Sequence, residues 1–358
     1  MMRVYNFAAG PSTLPEEVLA EAQRDLLDFA GTGMSVTEIS HRNKAFEAVV
    51  NEANALLREL MGIPEDYAVM FVQGGASQQF AAVPLNLMHT GKADYMVTGN
   101  FAKKAWQEGK IYGNAVKVAD SSDKTYTYIP DVDEVTFSDD ADYVHITSNN
   151  TIFGTRFTKF PETKAPLVAD MSSDILSREI DVSKFGVIYA GAQKNVAPAG
   201  VTIVIAKREL IQSPLDICPT MLRWKVQDEN NSLYNTPPCF PIYIAMLVLR
   251  RLKKLGGIKA INEINEYKAK MLYDFIDSSD FYTNSVVKKD RSIMNVPFVT
   301  PNADLDAKFV KEAGAAGLVS LKGHRLVGGM RASIYNAMPV EGVAALVDFM
   351  KKFELANK

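Results

Sequence analysis

Val187-Ile-Tyr-Ala-Gly-Ala-Gln-Lys-Asn195 is a short apolar run followed by a glycine-containing loop and a lysine. A second apolar run, Leu167-Val-Ala169, also ends at a charged residue, Asp170. Short runs of Val, Ile and Ala without polar alternation are typical of strands buried on both faces of a parallel sheet. Because ligands bind at the carboxyl ends of such strands, we expect Asp170 and Lys194 to belong to one site.

Similar apolar runs predict further strands, at 68–72, 95–97, 116–119, 143–147 and 201–205. Helical segments at 77–88 and 102–112 fall between some of them. Strands of this composition that alternate with helices are typical of an α/β domain with a mainly parallel sheet. Together with the two runs above, they predict a sheet of seven strands.

Helices are predicted before this sheet. Thr13-Leu-Pro-Glu16 has the pattern of a capping box, which predicts a helix that Thr13 caps and that the glycines at 31 and 33 end. A second helix is expected after Arg42, and Gly62 stops it.

The pattern changes near Gly256-Gly257. A long helix at 260–275 is followed by shorter strands and two further helices, predicted at 294–298, 318–320, 330–334, 305–316 and 340–353. This part is expected to form a smaller α+β domain. We therefore predict three parts: an N-terminal segment at 1–15, a large domain at 16–256 and a small domain at 257–358.

Composition excludes several classes of protein. A net charge of −3 over 358 residues gives no global attraction to nucleic acid. Two cysteines, Cys218 and Cys239, do not make a disulfide framework, and the four histidines lack metal-ligand spacing. The N-terminus has no signal-peptide core, and the longest apolar run, 242–249, is too short to span a bilayer. We therefore expect a cytoplasmic protein that needs no metal.

Lys194 and Asp170 together suggest pyridoxal phosphate (PLP) chemistry. The lysine would hold the aldehyde as a Schiff base, and the aspartate would hold the pyridine nitrogen protonated. Taken singly, each residue has a common alternative, because most lysines are solvated surface charges and an aspartate at a strand end is often a turn or capping residue. The hypothesis therefore depends on a phosphate site and substrate-binding cations elsewhere in the chain.

Val69-Met-Phe-Val-Gln-Gly-Gly-Ala-Ser-Gln78 has the order strand, glycine turn, helix. Backbone amides at such a helix start can bind an anion, which suits the PLP phosphate. An ordinary strand-to-helix turn is the alternative, and the segment is neither a Walker loop nor a dinucleotide fingerprint. Asn235-Thr236-Pro-Pro238 can also donate to a phosphate, although a plain turn is the favoured interpretation of that segment alone.

Cations cluster near a second glycine turn, Gly328-Gly329, since Lys322-Gly-His-Arg325 precedes this turn and Arg331 follows it. Arginine holds phosphate and carboxylate groups bidentately, so the cluster is compatible with an anionic substrate. A solvated hairpin is the alternative. Arg42 is similar, since it either contacts substrate or lies in a helix-entry turn.

Several motifs in this order resemble the phosphoserine aminotransferases, a family of class-V aminotransferases on the PLP fold-type-I scaffold. They are Asn6-Phe7…Gly10-Pro11, Ser40-His41-Arg42, Ala169-Asp-Met-Ser-Ser173, Asp181 to Asn195, Tyr234-Asn-Thr-Pro-Pro238 and Lys322-Gly-His-Arg…Gly-Gly-Met-Arg-Ala-Ser333. The resemblance extends nearly from end to end.

The resemblance implies a role for each matching residue. Lys194 binds PLP covalently and Asp170 contacts its pyridine nitrogen. The remaining cofactor contacts are Ala76, Ser77, Phe101, Thr151 and Gln193, with Asn235 and Thr236 supplied by the other subunit of a homodimer. The substrate anions are held by Arg42, His324, Arg325 and Arg331, of which His324 and Arg325 come from the partner chain.

Three positions depart from the pattern of some family members. Ala9 stands where some carry serine, Ser77 where some carry arginine, and Phe101 where tryptophan often stacks on the cofactor. A smaller aromatic face is expected to stack less strongly. The phosphate pocket is therefore the part of the site where the resemblance transfers least directly.

The implied reaction is reversible transamination between L-glutamate and 3-phosphohydroxypyruvate, giving O-phospho-L-serine and 2-oxoglutarate in serine biosynthesis. The formation of 4-phosphohydroxy-L-threonine in pyridoxine biosynthesis is a further expectation. Three rivals stay open: a cysteine desulfurase, an alanine–glyoxylate type transaminase, and a non-catalytic module that senses a phosphorylated metabolite. A desulfurase needs a mobile cysteine, and Cys218 and Cys239 lie near prolines.

Overall fold

The computed structural model describes residues 3–358, so residues 1 and 2 of the predicted N-terminal segment lie outside it. The strands are β1 (Tyr5–Asn6), β2 (Tyr67–Val72), β3 (Lys92–Val97), β4 (Asn114–Asp120), β5 (Val144–Thr147), β6 (Leu167–Asp170), β7 (Val187–Gly191), β8 (Thr202–Lys207), β9 (Asn295–Phe298), β10 (Leu318–Val319) and β11 (Met330–Ser333). The α-helices are α1 (Glu16–Asp25), α2 (Lys44–Met61), α3 (Gly75–Leu87), α4 (Asn100–Tyr112), α5 (Trp224–Glu229), α6 (Cys239–Lys254), α7 (Gly257–Ser278), α8 (Ala303–Ala315) and α9 (Val340–Asn357).

The large sheet has the order β2-β8-β7-β6-β5-β3-β4 in the described part of the chain. Strands β7, β6, β5, β3 and β4 are parallel, while β8 runs antiparallel to both of its neighbours. The predicted seven-stranded, mainly parallel α/β sheet is thus confirmed. Since β6 and β7 pair in parallel with Asp170 opposite Tyr189, the loops that leave both strands emerge at the same edge.

Residues 3–358 form three apolar cores. Two of them lie on the large sheet: α3 and α4 pack in one, and α1, α2 and α6 pack in the other, to which the start of α7 contributes Ile258 and Ile261. The third joins the later part of α7 to α8, α9 and the antiparallel pair of β9 and β11, and it also includes Phe7 from the N-terminus. Helix α7 therefore contributes to two of these cores, and the predicted boundary between 256 and 257 stays a prediction.

The N-terminal capping prediction was wrong. Helix α1 begins at Glu16 with Pro15 at the N-cap position and has no side-chain cap. The segment before the helix contacts the loop that follows β7 instead, because the backbone N–H of Ser12 donates to the carbonyl of Gln193 at 3.0 Å. The same helix ends at Asp25, before the glycines at 31 and 33.

Helix α2 shows a side-chain cap where its sequence has an asparagine. Asn43 accepts from the backbone N–H of Ala45 at 2.9 Å, and Gly62 ends the helix in the left-handed region with φ 62°.

The two-residue strand β1 and the short helix α5 were not predicted, because neither is long enough to show a periodic pattern. Among residues 3–358, no helix has the length and apolar composition needed to cross a membrane.

Candidate active site

Lys194 lies in the loop that follows β7, and its side chain is only 9% exposed. Its Nζ donates a hydrogen bond of 2.7 Å to the hydroxyl of Thr151. Burial lowers the pKa of Lys194 from 10.5 to about 8, an effect that the nearby Asp170 opposes and that Arg331 reinforces. The neutral, nucleophilic amine is therefore accessible close to physiological pH.

Asp170 ends β6 and is 4% exposed. Its Oδ1 accepts two hydrogen bonds from Ser172, one from the backbone N–H at 2.9 Å and one from the hydroxyl at 2.6 Å. Burial raises the pKa of Asp170, while the two bonds from Ser172 and the charge of Lys194 favour the ionised form. Ser172 is itself fixed by the backbone N–H of Gly191, which donates to its hydroxyl at 2.9 Å.

The predicted glycine turn leads directly into α3. Gly74 and Gly75 have φ values of 91° and 67°, which favour glycine, and a Cβ at Gly74 would overlap the side chain of Gln78. The helix start has no side-chain cap, so its first backbone N–H groups are available to an anion. Ala76 and Ser77 lie in this first turn and line the same cavity as Lys194.

The cavity that these elements enclose has a volume of about 350 Å³, which is within the usual range for small-ligand sites. Most of the residues predicted for the site line it: Ala76, Ser77, Phe101, Thr151, Asp170, Gln193, Lys194, His324 and Arg331. Ala9 lines it as well. Neither cysteine is among the described residues of its wall, which disfavours the desulfurase alternative.

The wall suits a cofactor with both polar and aromatic surfaces. Two of its buried polar atoms, Oγ1 of Thr147 and Oδ1 of Asn149, have no hydrogen-bond partner among the described residues, so a bound polar group would satisfy them. Phe101 offers a ring whose centroid is 5.5 Å from Nζ of Lys194. An ammonium, a carboxylate, an anion-binding helix start and an aromatic face therefore surround one cavity, as PLP requires.

Arg331 brings strand β11 to this cavity. Its guanidinium donates to the carbonyl of Thr151 at 3.2 Å, and its Nε is buried without a partner in the described part of the chain. The guanidinium therefore retains donors for a ligand carboxylate. His324 lines the cavity beside it, and burial together with the charges of Arg331, Arg325 and Lys104 lowers the pKa of His324.

Four predicted residues lie outside the cavity of their own chain. Arg42, Arg325, Asn235 and Thr236 are exposed, and none of them lines the wall around Lys194. Asn235 instead borders a separate cavity of about 170 Å³, and the carbonyl of Thr236 accepts from the side chain of Gln73 at 3.1 Å. A single chain therefore does not bring these four residues to Lys194.

Sequence reasoning missed Ser172 and Lys104, which line the cavity, and Asn195, which supports the loop of Lys194 without lining the cavity. Ser172 lies within the quoted motif after Asp170, and the two-residue spacing that allows its backbone and hydroxyl bonds was available as a signal. Lys104 lies one helical turn after Phe101. Asn195 follows Lys194, but its partner Asn336 is 141 residues away and no local pattern indicates it.

Comparison with known proteins gives consistent matches over the chain. The family model described as aminotransferase class-V matches residues 4–346. Proteins named phosphoserine aminotransferase from Bacillus cereus and Desulfosudis oleivorans are each 55% identical, covering 100% and 99% of both chains in the respective pairs.

Solved structures agree with these matches. A phosphoserine aminotransferase from Bacillus circulans subsp. alkalophilus has a TM-score of 0.98 at 47% identity and covers 99% of both chains. A PLP-bound phosphoserine aminotransferase from Trichomonas vaginalis has a TM-score of 0.94 at 40% identity and covers 98% of this chain and 100% of that chain.

Proposed function

We propose that this chain, which belongs to the class-V aminotransferase family, interconverts L-glutamate and 3-phosphohydroxypyruvate with 2-oxoglutarate and O-phospho-L-serine. Its cofactor is PLP, bound to a lysine. The observation that carries the proposal is the cavity at the edge of the sheet, where Lys194, Asp170 and the start of α3 meet beside Arg331. Full-length identity of 55% to proteins of that name supports the choice of substrate.

Different residues of the cavity are suited to different parts of the cofactor. The backbone N–H groups of Ala76 and Ser77 are suited to the cofactor phosphate, and the carboxylate of Asp170 is suited to its pyridine nitrogen. Thr151, Gln193 and Phe101 supply the polar and aromatic walls. PLP, when bound, serves as the electron sink that stabilises negative charge at the substrate α-carbon.

Lys194 carries the proton transfer. Its Nζ has a pKa lowered to about 8 by burial, so near neutral pH it can both accept and return a proton at the substrate α-carbon. The hydroxyl of Thr151 receives a hydrogen bond from Nζ and orients it between transfers. Arg331 binds the α-carboxylate, because its guanidinium is half-buried next to Lys194 and keeps unpaired donors.

A homodimer with shared sites is part of the proposal. Arg42, Arg325, Asn235 and Thr236 are exposed and outside the cavity of their own chain, which supports a role at the site of a second copy. In this arrangement Asn235 and Thr236 complete the phosphate site, and Arg42 and Arg325 reach the substrate anion from the second copy. His324 differs from the expectation that it comes from the partner chain, because it lines the cavity of its own chain.

Mixing inactive variants tests the shared site. Co-expression of Lys194→Ala chains with Asn235→Ala/Thr236→Ala chains should restore about a quarter of wild-type activity, since half of random dimers then hold one complete site. Lys194→Ala mixed with Asp170→Asn is the matched control, because both residues line the cavity of one chain and no complete site forms. Equal activity in the two mixtures would refute the sharing of sites.

An assay of the wild-type protein tests the reaction itself. Turnover of 3-phosphohydroxypyruvate with glutamate, coupled to detection of 2-oxoglutarate, is expected, and Lys194→Ala should abolish both turnover and the absorbance of lysine-bound PLP. Absence of turnover in a PLP-loaded wild-type protein would exclude the proposed substrate pair and favour a sensor module. Substituting the four-carbon precursor of 4-phosphohydroxy-L-threonine in the same assay tests the pyridoxine prediction.

Two further predictions accompany this function. The division into parts at 1–15, 16–256 and 257–358 is supported by the separate apolar core of α7, α8, α9, β9 and β11, and limited proteolysis near Gly256 tests it. The cytoplasmic location is tested by cell fractionation.

A further inference from the structure

Helix α4 presents one face to the cavity. Asn100, Phe101 and Lys104 line the wall, and their spacing of three and four residues places them on the same side of the helix. Lys103 is the intervening neighbour and does not line the cavity. Both lysines are exposed, so they do not differ in burial. They differ in the side of the helix from which their side chains project.

Lys104 adds an uncompensated charge to this wall. Among residues 3–358, no carboxylate lies within 4.0 Å of its ammonium, and none lies that close to Lys103 either. Asp170 is the only acidic residue of the described wall, and it is already hydrogen-bonded to Ser172. The cavity is therefore electropositive at the position of Lys104, which favours an anion there.

The position of Lys104 separates it from the cofactor-binding elements. Its Nζ lies 5.7 Å from the centroid of Phe101, and it is close enough to His324 to contribute to the lowered pKa of that imidazole. Lys194 is buried, whereas Lys104 is exposed, which places Lys104 at the mouth of the cavity. The start of α3 already supplies donors for the cofactor phosphate.

We propose that Lys104 is a specificity-determining residue that contacts the distal anion of each substrate, the phosphate of 3-phosphohydroxypyruvate and, in the other half-reaction, the γ-carboxylate of glutamate. This assignment rests on the function proposed above. A lysine suits the position because its ammonium is a point charge on a flexible stem, so it can follow oxyanions of different shape and reach. It acts at the mouth of the cavity, while Arg331 acts next to Lys194.

Steady-state kinetics of the PLP-loaded enzyme test the proposal. Lys104→Gln should raise the KM for 3-phosphohydroxypyruvate about 3- to 10-fold, as expected for loss of one exposed ionic contact, with kcat within about twofold of wild type. The KM for unphosphorylated hydroxypyruvate should stay within the same twofold margin. Lys104→Arg should restore most of the affinity, and added salt should weaken substrate binding less in Lys104→Gln than in wild type.

Lys103→Gln is the matched control, because it removes the same charge from the same exposed helix away from the cavity. Equal KM values in the two Gln variants would overturn the proposal, as would equal effects on phosphorylated and unphosphorylated substrates. Weaker retention of PLP by Lys104→Gln, measured by cofactor titration, would instead assign the lysine to the cofactor phosphate and also overturn it. Failure of the wild-type enzyme to use 3-phosphohydroxypyruvate would reject the proposed function, which is a separate result.

Discussion

The side-chain oxygen of Asn195 accepts a hydrogen bond of 3.0 Å from the backbone N–H of Asn336. The amide nitrogen of Asn195 donates to the carbonyl of Ile175 at 2.9 Å, and that of Asn336 donates to the carbonyl of Leu176 at 2.9 Å. The residue after Lys194 is thereby joined to the turn that follows β6 and to the segment that follows β11. These bonds fix the loop of Lys194 relative to the segment that follows the strand of Arg331.

Asn195→Ala should lower both stability and turnover. It leaves the N–H of Asn336 and the carbonyl of Ile175 without partners, which should lower the free energy of unfolding by about 2–3 kcal/mol. Because the loop of Lys194 loses its anchor, kcat should also fall. Urea unfolding and steady-state kinetics measure the two effects.

Asn284→Ala is the control for this prediction. Asn284 also makes two bonds to backbone, to the carbonyl of Pro297 at 2.6 Å and from the N–H of Val286 at 3.0 Å, but these bonds do not involve the loop of Lys194. It should lose comparable stability and keep its kcat. A parallel fall of kcat in both variants would mean that Asn195 acts only through stability.

Ser172→Ala should shift the acidic side of the pH profile. The substitution removes the 2.6 Å hydroxyl bond that favours ionised Asp170, so the pKa of Asp170 should rise further above its ordinary value. Since the carboxylate forms only above that pKa, the acid limb of kcat against pH should move to higher pH, with activity recovering as pH increases.

Ser173→Ala is the neighbouring control, because the hydroxyl of Ser173 donates to the carbonyl of Asn149 at 2.7 Å and makes no bond to Asp170. Its acid limb should stay at the wild-type pH. If the limb of Ser172→Ala also stayed there, Ser172 would not be what keeps Asp170 ionised.

Covalent capture of PLP by apoprotein should follow the titration of Lys194. Only the neutral amine reacts, so the capture rate should rise with pH through a midpoint near 8 and level off about one to two pH units above it. Arg331→Met removes a like charge, which should raise the pKa of Lys194 and move the midpoint to higher pH. Asp170→Asn removes an opposite charge and should move the midpoint to lower pH. Stopped-flow absorbance measures all three, and shifts in the same direction would contradict the assigned electrostatics.

Phe101 should limit the strength of cofactor stacking. Phe101→Trp enlarges the aromatic face at the wall of the cavity and should tighten PLP binding about 3- to 10-fold, whereas Phe101→Leu removes the ring and should weaken it. Equilibrium titration of apoprotein with PLP measures both. A looser complex in Phe101→Trp would show that the cavity has no room for the larger ring.

The sequence by itself determined the features that a short segment of chain encodes. Buried strands were visible as apolar runs, and each of the seven predicted strands is present within a few residues of its expected bounds. Lys194 and Asp170 were recognisable because both follow such runs, and the glycine turn because positive φ values favour glycine. The family resemblance then supplied roles for residues that no pattern distinguishes, such as Gln193.

Only the tertiary structure decided which side chains meet. The bonds that join Lys194 to Thr151, Arg331 to Thr151 and Asn336 to Asn195 span 43, 180 and 141 residues. Such contacts depend on strand order and on the packing of one core against another, which the periodicity of a single segment does not encode. Tertiary packing also distinguishes Lys104 from Lys103. The way α4 packs on the sheet determines which side of the helix faces the cavity, and Lys104 lies on that side.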